Sequence, residues 1–274
     1  KLLQKRSEPA PLATKEITLP EYAEHEVGMI PQLAARFETA AQLPGAEYLA
    51  KLRYLILPIR EADAVPQPLR CKTLLELPRA AFGTVEPDTM RRLAALEGSG
   101  FAGVVANNLA QFGYASPLPV FGGLGLNVTN PMSAAEYVCL GACGLLVQPE
   151  TALTAMRAVA PRQKDGTPVP TAALCYGHLP LMLTRACPLR NVRTSCAGCT
   201  HKGKLRDRKG RDFPVRCSAP GSAGMRTVFN PVPLYMGDRL TEMPVALAVA
   251  AFTLEPADRV EEVLTRLFHQ QPFD

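Results

Sequence analysis

The stretch "VALAVAAFTLEPADRVEEVLTRLFHQ" (residues 245–270) joins two patterns in one piece of chain. Its first half is a short apolar run closed by Glu255. Its second half opens at Pro256 and sets Val260, Val263, Leu264, Leu267 and Phe268 at helical spacing. A strand that hands directly to an amphipathic helix is the building unit of a parallel sheet wrapped by helices.

The same alternation recurs upstream. Seven further apolar runs end in polar, Gly or Pro signals: LAARFE (33–38), YLILPI (54–59), TLLELPR (73–79), GVVANN (103–108), VFGGLGLNV (120–128), GLLVQPE (144–150) and TAALCYGHL (171–179). Between them, EPDTMRRLAALEGSG sets Met90, Leu93 and Leu96 on one helical face before Gly98 and Gly100. SAAEYVCLGACG carries Ser133 and Glu136 at capping-box spacing and stops at a glycine. Eight strands with crossover helices over about 240 residues predict an α/β fold, a closed (β/α)8 TIM-like barrel. An open doubly wound sheet is the rival, because periodicity does not report closure.

Residues 1–30 break the alternation and are expected to be a linker or the tail of an upstream domain. The barrel is expected over 31–274, with a Cys-rich, metal-binding insertion at 185–240 between the seventh and eighth strands. The opening KLLQKRSEPAP reads as the end of an earlier element, so the upstream half of a longer polypeptide is an expected partner. After the insertion, FNPVPLYMGDRL is expected to be extended chain and a short helix that packs the insertion onto the barrel.

Hydrophobic residues make up 47% of the 274, which argues against disorder and for a sizeable core. The longest apolar runs fall short of the roughly 20 residues a membrane-spanning helix needs, so no membrane partner is expected. With no leader pattern and eight cysteines, the reading is a cytoplasmic protein with reduced thiols. The net charge is +5 overall. Ten Lys or Arg against two Asp between 185 and 216 give +8 there, leaving −3 for everything else.

That basic segment reads "CPLRNVRTSCAGCTHKGKLRDRKGRDFPVRC" (187–217), and it has few bulky apolar residues with which to form a core of its own. Its cysteines, Cys187, Cys196, Cys199 and Cys217, follow Cys-x8-Cys-x2-Cys-x17-Cys. A Cys-x2-Cys pair lets two thiolates hold one metal from a single turn, and four thiolates suit either a 4Fe-4S cluster or zinc. His201 is a weaker alternative ligand. Cys71, Cys139, Cys143 and Cys175 read as small buried hydrophobes. Lys202, Lys204, Arg206 and Arg208 are the candidates for contacting phosphates of RNA, by charge and not by base readout.

YGHLPLMLTRACPLRN, CAGC, DRKGRDFPVRC and NPVPLYMGDR (176–239) resemble the signature region of the peptidase U32 family, the collagenase-like proteins. VANNLAQFGYASPLPVFGGLGLNVTNPMSAAEYVCLGACGLLVQPETAL (105–153) resembles that family's preceding segment. The resemblance implies a barrel-like fold and an iron-sulfur cluster on Cys187, Cys196, Cys199 and Cys217. It also implies a role in RNA modification, the C5-hydroxylation of cytidine in rRNA or tRNA, with a small dicarboxylate such as prephenate as hydroxyl source.

In a barrel, polar residues at strand ends line the pocket. These are Arg36, Glu38, Glu76, Arg79, Asn107, Asn108, Asn127, Glu150, Tyr176 and His178. Tyr176, His178, Glu150 and Asn127 are the catalytic candidates, with Tyr176 and His178 placed to move a proton or position a base. Arg36 and Arg79 are the candidates for an anionic substrate, because guanidinium pairs bidentately with carboxylate. Glu76 and Asn107 complete the substrate set. Two other readings stay open: a peptidase of unassigned mechanism, although no His-Glu-x-x-His or Gly-x-Ser-x-Gly occurs, and a noncatalytic RNA-binding module with a structural metal.

Overall fold

The computed structural model describes residues 28–114, 116–190, 196, 199–218 and 224–273. All but the last three positions of the expected 1–30 linker lie outside the described residues. Among the described residues, thirteen strands are numbered in chain order. The first seven are β1 (Gln32–Phe37), β2 (Tyr54–Pro58), β3 (Thr73–Glu76), β4 (Gly103–Ala106), β5 (Val120–Gly122), β6 (Ala142–Leu146) and β7 (Thr171–Gly177). The inserted ones are β8 (Pro180–Thr184), β9 (Lys202–Arg206), β10 (Asp212–Cys217) and β11 (Arg226–Phe229), followed by β12 (Leu234–Tyr235) and β13 (Leu247–Phe252). Each of the eight apolar runs overlaps one of the parallel strands β1 to β7 and β13, with β1 and β6 beginning one and two residues before their runs.

Those eight pair in parallel in the order β7, β13, β1, β2, β3, β4, β5, β6, and β6 returns to pair with β7. The sheet is therefore closed, and the open doubly wound alternative falls. Closure explains why the runs lack a polar alternation along most of their length: one set of side chains fills the lumen and the other lies under the outer layer. Inside are Ala34, Ala172, Leu174 and Val249, packed with Tyr54, Ile56, Leu146 and Leu247. Outside, Ala35, Phe37, Leu55, Leu75 and Phe252 meet the crossover segments.

Two crossovers contain helices of more than two turns, α3 (Val85–Ala94) and α4 (Pro131–Cys139), and a third such helix, α6 (Ala257–Phe268), follows the last strand. The other crossovers use α1 (Ala46–Lys51), α2 (Gln67–Arg70), α5 (Leu153–Met156) or 3-10 turns. α6 buries Val260, Val263, Leu264 and Leu267, as its spacing predicts. α3 differs from expectation: Leu93 and Leu96 are buried, while Met90 is 46% exposed.

α4 also begins earlier than the Ser133 cap implies. The Asn130 side chain accepts from the Ser133 backbone N–H at 2.9 Å, and Pro131, which has no N–H to satisfy, occupies the first helical position. Replacing Asn130 with Ala should cost about 1 kcal/mol, a drop of roughly 2–4 °C in thermal midpoint for a chain of this size. An unchanged midpoint would move the cap back to Ser133.

The insertion forms a four-stranded antiparallel sheet in the order β8, β11, β10, β9. It does bury a small apolar patch of its own, Val215 and Val228, which face each other across β10 and β11. β12 then adds antiparallel to β7 on the barrel, and a 3-10 turn at Gly237–Glu242 follows it, so the FNPVPLYMGDRL segment ties the flap down as expected.

Candidate functional site

The carboxyl ends of the barrel strands surround a cavity of about 180 Å³. Below the mouth its lining is apolar, with Ile56, Leu174 and Val249, and deeper, at the amino end of β2, lies Tyr54, whose ring centroid is 6.0 Å from that of Phe121. Its rim is polar, formed by Arg36, Glu76, Arg79, Asn107, His178 and Thr253. Pro180, Thr227 and Phe229 of the inserted sheet lie over the top.

Arg36 lines this cavity but is not free to receive a ligand carboxylate. Its guanidinium donates to Glu76 Oε2 at 3.0 and 2.8 Å, to Glu38 Oε2 at 2.6 Å and to Thr253 Oγ1 at 3.4 Å. The parallel pairing of β1, β2 and β3 sets these strand ends side by side, so the protein supplies the carboxylates itself. Burial alone would lower the basicity of Arg36, yet the two carboxylates outweigh it and hold the group above its ordinary value. Burial also opposes ionisation of Glu38, but Arg36 and Arg60 hold it below the usual carboxylate range. Arg79 is different. Among the described residues it has no ion-pair partner within reach, and desolvation lowers it with Glu76 only partly opposing.

Asn107 also lines the cavity, but its amide is used by the fold. Nδ2 donates to Leu77 O at 2.9 Å, and Oδ1 accepts from Gly125 N–H at 3.1 Å. Any Cβ on Gly125 would sit 2.1 Å from the Asn107 carbonyl oxygen, which is why the Gly-rich run lies against β4. Asn108 spans to the Arg79 carbonyl and shapes a turn.

Three of the four catalytic candidates do not reach the cavity. Asn127 ends a 3-10 turn in the left-handed region, φ 52°, and accepts from Gln148 Nε2 at 2.5 Å. Glu150 is exposed in the turn after β6. Tyr176 is turned outward by an irregularity in the β7–β13 register, where Leu174 pairs with Val249 and Tyr176 with Ala250. Its ring packs on Phe252 at 5.4 Å and Phe273 at 5.9 Å, and burial first, then Glu255, raises its phenol above the ordinary value.

His178 is the candidate that remains. Its Nδ1 lies 2.8 Å from the Asn230 carbonyl oxygen, which can only accept, so Nδ1 carries a proton and Nε2 is the nitrogen left to face other groups. Nε2 is 3.8 Å from Glu255 Oε1, which accepts from Tyr176 O–H at 2.9 Å; Glu255 Oε2 accepts from Leu254 N–H at 2.9 Å. Tyr176 thus positions Glu255, and Glu255 faces His178. Glu255 was legible by the rule that selected Glu38 and Glu76, since it closes the eighth run.

Arg216 is the second residue that sequence reading missed. Thr227 lines the cavity and pairs with Arg216, so Arg216 faces the barrel too. Desolvation lowers it, against the pull of Glu38 and Glu255. Cys217, next along β10, lies with Val215 on the face turned away from the cavity.

The basic hairpin is less cationic than its sequence. Asp212 accepts from Lys204 at 2.5 Å and from Arg206 at 2.7 and 3.0 Å, which holds its carboxyl well below the usual range. Asp207 accepts from the Lys209 and Arg211 N–H groups in the turn. Lys202 and Arg208 are exposed and have no ion pair among the described residues.

No group of three or more His, Cys, Asp or Glu is arranged to hold a metal among the described residues. Cys187, Cys196, Cys199 and Cys217 all lie between the end of β8 and the end of β10. Cys199 N–H donates to Cys196 O at 3.1 Å, and Cys217 N–H to His201 O at 2.9 Å. Cys217 pairs with Arg226, and Arg226 with Thr184, three residues before Cys187. Four cysteine sulfurs are a donor set that fits zinc or an iron-sulfur cluster. Of the other four, only Cys175 is a fully buried hydrophobe, its thiol pushed up to about 12 by burial; Cys71 and Cys139 are exposed and Cys143 half-buried.

Fold and site define a (β/α)8 barrel whose mouth is a ligand-sized cavity capped by an inserted sheet. No family model matches the sequence, and no curated protein matches it. Among solved structures, the chain is similar to the U32 peptidase Mk0906, at 12% identity over 86% of this chain and 98% of that one, with a TM-score of 0.46. It is also similar to the spore cortex-lytic enzyme SleL of Bacillus cereus, at 10% identity over 93% and 76%, TM-score 0.37. Chitinase ChiW from Paenibacillus follows at 9% identity over 88% and 32%, TM-score 0.34. The barrel assignment rests on the strand order alone. No helix among the described residues is long and apolar enough to cross a membrane.

Proposed function

We propose that this chain is the barrel of a U32-type, metal-containing enzyme that modifies a base in RNA. The observation that carries the reading is the capped cavity: a volume of about 180 Å³ with the aromatic rings of Tyr54 and Phe121 in its lining and Glu76, Arg79 and His178 on its rim. An enzyme acting on a nucleobase must take it out of its stack, and such a pocket offers ring faces for stacking and polar groups for the base edge. Lys202 and Arg208 would meet the phosphates beside the extruded nucleotide. Hydroxylation of cytidine at C5, with a small dicarboxylate as hydroxyl source, is the reaction that the family resemblance supplies.

Cys187, Cys196, Cys199 and Cys217 would hold the metal, and an iron-sulfur cluster bound there would supply electron transfer. His178 would hold or release a proton at the base from Nε2, oriented by Asn230 and faced by Glu255. The cavity lining contains no Ser or Cys among the described residues, so a collagenase-like peptidase would lack such a nucleophile there.

The test is nucleoside mass analysis of rRNA and tRNA after incubation with anaerobically purified protein and a dicarboxylate. One oxygen added to cytidine, lost in His178→Ala, is the expected result. RNA affinity should fall steeply with salt, and the double variant Lys202→Gln, Arg208→Gln should lower that slope by about 1–2. Unmodified RNA with every donor, or a slope unchanged in the variant, would defeat the reading.

A further inference from the structure

Beside the barrel mouth lies a second cavity, of about 250 Å³, between the ends of β2 and β3, the first turns of α3 and the flap residues Ser218 and Met225. Three guanidinium groups line it, from Arg60, Arg79 and Arg92, together with the carboxylates of Glu76 and Asp88. Those carboxylates are already taken: Glu76 receives Arg36 at 2.8 Å, and Asp88 receives Arg91 at 2.7 Å. Arg60 is held by Glu38. Among the described residues, Arg92 reaches only Asp63, at 3.8 Å, a side chain 95% exposed. Arg79 has no ion-pair partner among the described residues and loses basicity through desolvation. The cavity therefore holds two cations that its own acids do not neutralise.

We propose that this outer cavity binds a phosphate-class oxyanion through Arg79 and Arg92. A carboxylate presents two oxygens in one plane. Guanidinium groups arriving from the β3–α3 loop, from α3 and from the turn after β2 suit a tetrahedral group with acceptors in several directions. Ser218 is placed to add a neutral donor, since its oxygen accepts from Met225 N–H at 2.9 Å and keeps its hydroxyl hydrogen. Arg79 and Glu76 line both cavities, so the anion would sit next to whatever occupies the barrel. The site does not depend on the barrel ligand being a base.

The test is titration of the full chain with inorganic phosphate, with chloride at matched ionic strength, followed by thermal midpoint and phosphorus-31 line width. Phosphate should raise the midpoint and chloride should not. Arg79→Gln and Arg92→Gln should each weaken binding about tenfold, while the remote Arg259→Gln leaves it unchanged. Competition then identifies the source. Displacement by a short RNA with hydroxyl ends assigns the site to a backbone phosphodiester, and displacement by ribose 5-phosphate alone assigns it to a phosphorylated small molecule. If neither displaces it, inorganic phosphate itself is the ligand. No phosphate-specific shift, or equal shifts in wild type and both variants, overturns the proposal. Phosphate binding without base modification would leave this site standing and the enzymatic reading refuted.

Discussion

Arg36→Met should lower the thermal midpoint by roughly 5–10 °C, one of the two largest effects expected of a single side chain at the barrel mouth. Arg36 holds Glu38 and Glu76 with its own side chain 18% exposed. Removing one partner of a buried ionic group costs about 3–5 kcal/mol. Partial exposure, and the Arg60 contact that stays on Glu38, reduce this to about 2–3 kcal/mol, which converts at roughly 2–4 °C per kcal/mol. The effect carries a pH signature. Glu38 is held below the usual carboxylate range, so its contribution is complete above the ordinary value of about 4.3 and is lost as pH falls through the folded-state value. The gap between wild type and variant should therefore narrow on acidification, and adding Glu76→Gln to Arg36→Met should recover part of it. A gap that is the same at neutral and acid pH would mean that packing, and not this charge network, sets the effect.

The same network marks where one-dimensional reading stopped. The eight strands were legible because burial on both faces writes itself as unbroken apolar runs, and α6 because five apolar residues keep helical spacing. The strand end of Arg36 is legible in the sequence, but its pairing with Glu76 is not, because Glu76 is forty residues away and only the barrel order brings it near. Tyr176 was lost to a register irregularity in β7 that no composition signals. Glu255 needed only consistent use of the strand-end rule. The Asn130 cap was announced by Pro131, which Ser133 overshadowed. Arg216 could not be found without the flap's register, since its role depends on which face of β10 looks at the barrel.

Cys217→Ser is expected to unfold the flap while leaving the barrel intact. Apart from Val215 and Val228, the inserted sheet has few buried apolar side chains to hold it together, and Leu189 merely covers Gly203. Small sheets of this kind are stabilised from outside, and a structural metal supplies about 10–16 kcal/mol in small four-ligand domains, more than any one of these side chains could. Cys217 lies on the face of β10 turned away from the cavity, so a metal held there would act first on the shape of the flap. Anaerobically purified wild type should carry one cluster, about four iron with broad visible absorption, or one zinc and no colour. Cys217→Ser should carry neither and be cut by protease between β8 and β11, with far-ultraviolet dichroism largely retained because the closed parallel sheet does not depend on the insertion. Cys71→Ser, at an exposed thiol far from the flap in sequence, should keep both metal and protease resistance. If the two variants behave alike, the four cysteines are not a ligand set, and the flap must be held by its contacts with the barrel mouth alone.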